Sequence, residues 1–101
     1  MAGAVRKKLA APPRVVVVTR KTEYELLVER HGTHAQAAFF LRMREQQIEL
    51  CKERHDRFEQ ELQAVVAAIP RAWRRARVQR ADLHRFLFEP DDVVVAVGQD
   101  G

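Results

Sequence analysis

The residues best placed by type and spacing to do chemistry are Gly98, Gln99, Asp100 and Gly101, which follow directly on the apolar run Val93-Val94-Val95-Ala96-Val97. Glycines flanking an acid at the end of a β-branched run let the backbone approach a phosphate closely with amide groups turned toward it. The acid between them is free to accept a hydrogen bond from a substrate hydroxyl or to take its proton. A second set, Thr19, Arg20 and Lys21, follows the other β-branched run, Val15-Val16-Val17-Val18. If both runs are strands of one parallel sheet, the two sets emerge at the same edge. Arg20 would then offer a fork of donors to phosphate and Lys21 a point charge. A plain alternative exists for each: a strand-ending turn that needs glycine for positive φ, and a solvated loop ahead of a helix.

The elements that must position these residues can be read along the chain. Uninterrupted β-branched runs are the pattern of strands covered on both faces, so Val15 to Val18 and Val93 to Val97 are predicted as buried strands. Thr22 and Glu25 have the spacing of a capping box, which starts a helix that Gly32 ends. Thr33 with Gln36 repeats the start signal, and Ala37, Phe40 and Leu41 share a face of the next helix. A stripe at Ile48, Cys51, His55, Phe58, Leu62, Val65 and Ile69 alternates steps of three and four until Pro70 stops it. The polar run Arg44-Glu45-Gln46-Gln47 is read as a bend between two helices. Arg75 to Gln79 alternates as a half-exposed strand. Asp82 is expected to cap a short helix whose Leu83, Phe86 and Leu87 share a face.

That order predicts an α/β fold: a Rossmann-like parallel sheet with helical crossovers, arranged in three layers and incomplete without a second domain. Residues 1–13 are expected to be a flexible leader and residues 14–101 one domain. Because a Gly-Gln-Asp-Gly turn normally leads into another element, the chain is expected to be a fragment of a longer protein.

Composition narrows the function classes. Of 101 residues, 47% are hydrophobic and 32% charged, which argues for a folded domain rather than a disordered or fibrous chain. The single cysteine, Cys51, has no disulfide or metal partner at a recognisable spacing, and His31 and His34 share no third ligand, so no metal ligand is assigned. There is no apolar signal segment or membrane span, which points to a cytoplasmic protein without a membrane partner. A net charge of +4 suits an anion-binding enzyme as well as a nucleic-acid binder. The densest basic cluster is Arg71, Arg74, Arg75, Arg77 and Arg80 around Trp73. Its alternation reads as the solvated or ion-paired face of a strand rather than a nucleic-acid surface.

The segment Asp-Asp-Val-Val-Val-Ala-Val-Gly-Gln-Asp-Gly, residues 91–101, resembles the strand and Gly-Gly-Asp-Gly signature of NAD kinases, shared more loosely by diacylglycerol kinases and phosphofructokinases. The resemblance is specific only over these last residues and extends weakly upstream to Arg14. It implies the amino-terminal nucleotide-binding domain of an ATP-dependent kinase, with ATP and Mg2+ as cofactors. Its active site would lie in a cleft against a following β-rich domain, and its acceptor would be a hydroxyl of NAD or of a related sugar or lipid. Asp100 would be the catalytic base and acceptor contact, with Gly98, Gln99 and Gly101 near the phosphates. Gln99 stands where the family has its second glycine, so the motif is a variant. By itself the piece is expected to be inactive. The competing expectation is a non-enzymatic helical interaction or homodimerisation module built on the Ile48 to Ile69 stripe.

Overall fold

A computed structural model describes residues 12–98. The leader expected over residues 1–13 lies outside them, apart from Pro12 and Pro13, which are half-buried.

Three parallel strands form the sheet. Strand β1 (Val15–Thr19) is central, with β2 (Arg75–Gln79) on one side and β3 (Val93–Ala96) on the other. Val15 stands opposite Arg75 and Val93, and Val18 opposite Val78 and Ala96. Every residue of β1 is buried, as a run of β-branched side chains requires when both edges are paired and both faces covered.

The connection from β1 to β2 consists of three helices. Helix α1 (Glu23–His31) starts at Thr22, whose hydroxyl accepts from Glu25 N at 3.1 Å while the Glu25 carboxylate accepts from Thr22 N at 2.8 Å. This is the expected capping box, and Gly32 closes the helix at φ 91°. Helix α2 (His34–Met43) is capped by Thr33 and ends in a bend, as expected. There Glu45 N–H donates to Arg42 O and Gln46 N–H to Leu41 O. That pair of bonds is a Schellman closure with Glu45 in the left-handed region at φ 57°. Helix α3 (Ile48–Ala68) then runs 21 residues, about 31 Å.

The apolar stripe of α3 is divided among three partners. Ile48 packs with Ala37 and Leu41 of α2, and Cys51 and His55 face α1. Phe58 and Leu62, joined by Val66 and Ile69, lie against Val15 and Val17 on one face of the sheet. Ile48, Phe58 and Leu62, members of the stripe on which the competing dimerisation module would be built, are therefore buried inside the subunit.

The opposite sheet face carries Val16, Val18 and Val78, covered by Leu83 of a short 3-10 helix (Arg80–Arg85) and by Phe86 just after it. Two expectations are corrected here. Asp82 does not cap that helix: the residue before it is Gln79, which makes no side-chain cap, and Asp82 instead accepts from Arg85 at 2.5 Å. Leu87 does not share the buried face, because the chain has already left the helix at Phe86; it is 86% exposed.

A third correction concerns β3. Its sequence predicts a strand covered on both faces, yet among the described residues it pairs only with β1, and Val93, Val94 and Ala96 are exposed. The short 3-10 helix reaches only across β1 and β2, so among the described residues the β3 face with Val94 and Ala96 lacks a cover, while Val95 packs with Phe58 and Leu62 on the other.

At the amino edge of the sheet, Arg14 grips Asp92 with a two-pronged contact, Nε to Oδ1 at 3.0 Å and Nη2 to Oδ2 at 2.7 Å. The Asp92 side chain is 3% exposed and also accepts from Glu89 N at 2.8 Å. These hydrogen bonds hold its carboxyl below the usual carboxylate range, with Arg14 the main cause. Arg74 forks onto Glu89 in the same loop and Arg75 donates to Pro70 O, so two members of the arginine cluster bond to loop segments. Among the described residues no helix is long and apolar enough to cross a membrane.

Candidate functional site

The strand order β2-β1-β3 makes the chain step from β1 to one side and return on the other, so the carboxyl ends of β1 and β3 lie side by side, with Val97 N–H still donating to Val18 O at 2.9 Å. In open parallel sheets that reversal point is where ligands sit. A cavity of about 710 Å³ opens there. Its lining includes Arg20 and Lys21 after β1, Thr22 at the cap of α1, and Gly98 after β3. The two sets of residues singled out in the sequence are thus brought to one edge as far as the described residues extend. Gln99, Asp100 and Gly101 lie outside them.

Gly98 is required by packing. Its φ is +127°, and a Cβ there would come 3.3 Å from Phe58 Cε1. The ring of Phe58, itself buried between α3 and β1, forms part of the cavity wall. Glycine therefore serves the fold at this position before any ligand is considered, and its missing side chain also leaves the backbone bare to the cavity.

Thr19 does not line the cavity surface. It is 2% exposed at the carboxyl end of the central strand, and its hydroxyl has no hydrogen-bond partner among the described residues. A buried hydroxyl without a partner costs free energy, so such groups mark places where a further polar atom is expected.

The electrostatic balance of the lining is positive: Arg20, Lys21, Arg54 and Arg57 against Glu23 and Glu61. Lys21 is paired with Glu29, whose hydrogen bond raises the Lys21 pKa and keeps the ammonium charged. Arg54 approaches Glu23 at 3.5 Å and Arg57 approaches Glu53 at 3.7 Å. These are exposed pairs, each worth under about 1 kcal/mol, so an incoming anion can displace them at small cost.

Cys51, Arg54 and Arg57 are among the lining residues that the sequence did not assign to the site. With Phe58 and Glu61 they follow steps of three and four along one flank of α3, a face recognisable in the sequence only once α3 is known to lean over the end of β1. The surroundings of Cys51 disfavour its thiolate. Burial, reinforced by a hydrogen bond to Glu23 Oε1 at 3.4 Å, pushes its thiol pKa up.

Compared with known proteins, the chain matches no family model, no curated protein and no solved structure.

Proposed function

We propose that this chain is the nucleotide-binding part of an ATP-dependent phosphotransferase resembling NAD kinases, with a Rossmann-like, three-layer α/β domain that works against a second, β-rich domain. The observation that carries the reading is the shared cavity at the adjacent carboxyl ends of β1 and β3, lined by Arg20, Lys21 and Gly98. The substrate is MgATP, and the acceptor is a hydroxyl of NAD or of a related sugar or lipid in a cytoplasmic setting.

The phosphates lie over Gly98 and the start of α1, where the bare backbone allows close approach. Arg20 and Lys21 neutralise their charge, with Lys21 exchanging Glu29 for phosphate. Asp100, two residues beyond Gly98 in the chain, accepts the proton of the acceptor hydroxyl as that oxygen bonds the γ-phosphorus and ADP leaves. Fixed positive charge around the γ-phosphoryl does most of the work in such a transfer.

The reading is tested by calorimetry of the chain with MgATP at low ionic strength. The expected result is weak binding, with a Kd of about 0.1–1 mM, or roughly 4 to 5.5 kcal/mol. Arg20→Ala combined with Lys21→Ala should weaken it by about tenfold, ~1.4 kcal/mol. No MgATP binding at millimolar concentration, or binding indifferent to the double substitution, overturns the proposal. The burial of Phe58 and Leu62 inside the subunit favours the phosphotransferase reading over the competing helical dimerisation module.

A further inference from the structure

Outside the cavity, α1 and α3 bring together three side chains of metal-binding type: Glu25, His55 and Glu59. Each is partly buried, and each offers a ligand atom within 4.8 Å of those of the other two. His55 and Glu59 are one helical turn apart on α3, an i, i+4 pair on one face, and Glu25 reaches them from the first turn of α1. None of these spacings is a metal motif in the sequence; only the packing of the two helices assembles the group.

Two of the three ligands are already held in place. Glu25 Oε1 accepts the capping-box bond from Thr22 N, which leaves Oε2 available. The His55 ring lies 5.2 Å from the Tyr24 ring, and its Nδ1 is 2.9 Å from Thr22 Oγ1. That hydroxyl accepts from Glu25 N, and toward Nδ1 it can donate its own proton or accept through its second lone pair, as the ring tautomer requires. When Nε2 takes a metal, the ring proton moves to Nδ1 and is donated to Thr22 Oγ1, which has a second lone pair to receive it. A ligating imidazole that donates its other N–H to a fixed oxygen is the usual outer support of a metal site.

We infer that Glu25, His55 and Glu59 form a binding site for a divalent transition-metal ion, with Zn2+ as the natural choice. Two carboxylates and one imidazole make a mixed oxygen and nitrogen set, which favours Zn2+ over Mg2+ or Ca2+, whose preference is for oxygen alone. Small side-chain rotations suffice to bring ligand atoms at this separation onto one ion at about 2.0–2.2 Å. Three protein ligands leave a coordination position for water. The ion clasps the first turn of α1 to the middle of α3, and Thr22, its outer support, also lines the cavity. The inference stands apart from the phosphotransferase reading and holds whether or not the cavity binds nucleotide.

The experiment is calorimetry of the chelator-stripped chain with Zn2+, repeated with Mg2+, alongside thermal melting. One equivalent of Zn2+ should bind with micromolar affinity or better. Mg2+ at the same concentrations should not bind, and saturating Zn2+ should raise Tm by several degrees. Glu25→Gln and Glu59→Gln should each weaken Zn2+ binding at least tenfold. Glutamine keeps the capping box at position 25, so the far-UV circular dichroism of that variant should match the parent. His84→Gln, at an exposed histidine away from the cluster, should change nothing. With Co2+ in place of Zn2+, the spectrum should lack a thiolate charge-transfer band. The assignment is overturned if Zn2+ does not bind, if it binds equally well to both glutamine variants, or if binding is lost in Cys51→Ser instead.

Discussion

Strands β1 and β3 have almost the same sequence, Val-Val-Val-Val and Val-Val-Val-Ala, and opposite environments. In β1 Val16 is fully buried, whereas in β3 its neighbour across the ladder, Val94, is 54% exposed. Local composition is the same in both, so the difference comes from position. The central strand is paired on two edges and covered on two faces, by α3 and by the 3-10 helix, while the last strand has one paired edge and an uncovered face. A β-branched run therefore reports the tendency to form a strand, and the neighbours decide how much free energy its side chains contribute.

The sharpest way to break this comparison is to place the same charge in each strand. Val16→Asp buries a carboxylate with no partner and should abolish folding, at a cost above about 4 kcal/mol, whereas Val94→Asp should cost under about 1 kcal/mol. Denaturant unfolding followed by circular dichroism measures both; equal costs would mean that the face over β3 is covered in solution.

Next in size is the junction where β3 meets the α3 side of the core. Gly98→Ala forces a side chain into positive φ and against the Phe58 ring, and should destabilise by about 1–3 kcal/mol. In the Phe58→Ala background the same change should cost less, because the steric part has gone while the backbone part remains. Additive costs in that double-mutant cycle would show that the ring plays no part in fixing Gly98.

The smallest effect expected joins the two strands at their amino ends. The Asp92 carboxyl is held below its unfolded value by Arg14, so its contribution is fully present above about pH 4 and is lost as pH falls through the lower folded value. Asp92→Asn should lower Tm at pH 7 and reduce the steepness of acid unfolding below pH 4, while leaving the slope between pH 6 and 8 unchanged. A parallel acid profile for the two proteins would remove Asp92 as an acid-sensitive contact.

Much of this architecture is legible in the residues. Thr22 with Glu25, Gly32, Thr33 and Pro70 mark helix ends by local hydrogen-bonding and steric rules that packing did not override. The alternation at Ala76 and Val78 likewise gave β2 its half-buried face. The bend after α2 was harder, because its left-handed residue is Glu45 rather than glycine, and only the polar run around it hinted at a break. What local rules could not supply was contact between distant segments. The exposure of β3, the sharing of the α3 stripe among three partners, and the presence of Arg54 and Arg57 at the cavity all depend on which elements meet. Of the candidate site, Arg20, Lys21 and Gly98 were placed together by the parallel alternation of elements, whereas Glu25 could be joined to His55 and Glu59 only by the crossing of α1 over α3.

Helix α3 is an unbroken rod fixed at its carboxyl half to the sheet by Phe58, Leu62 and Val66, while its amino half carries Ile48 into the α2 contact. Such a rod resists flexing, so any widening of the mouth above β1 has to come from α1 and α2 swinging as a pair. Their two tethers are the loop at Arg20 to Thr22 and the turn at Arg44 to Gln47. Breathing of the molecule is thereby concentrated at two short hinges, and amide exchange at Thr22 and Gln46 should run faster than along the rod between Phe58 and Val66.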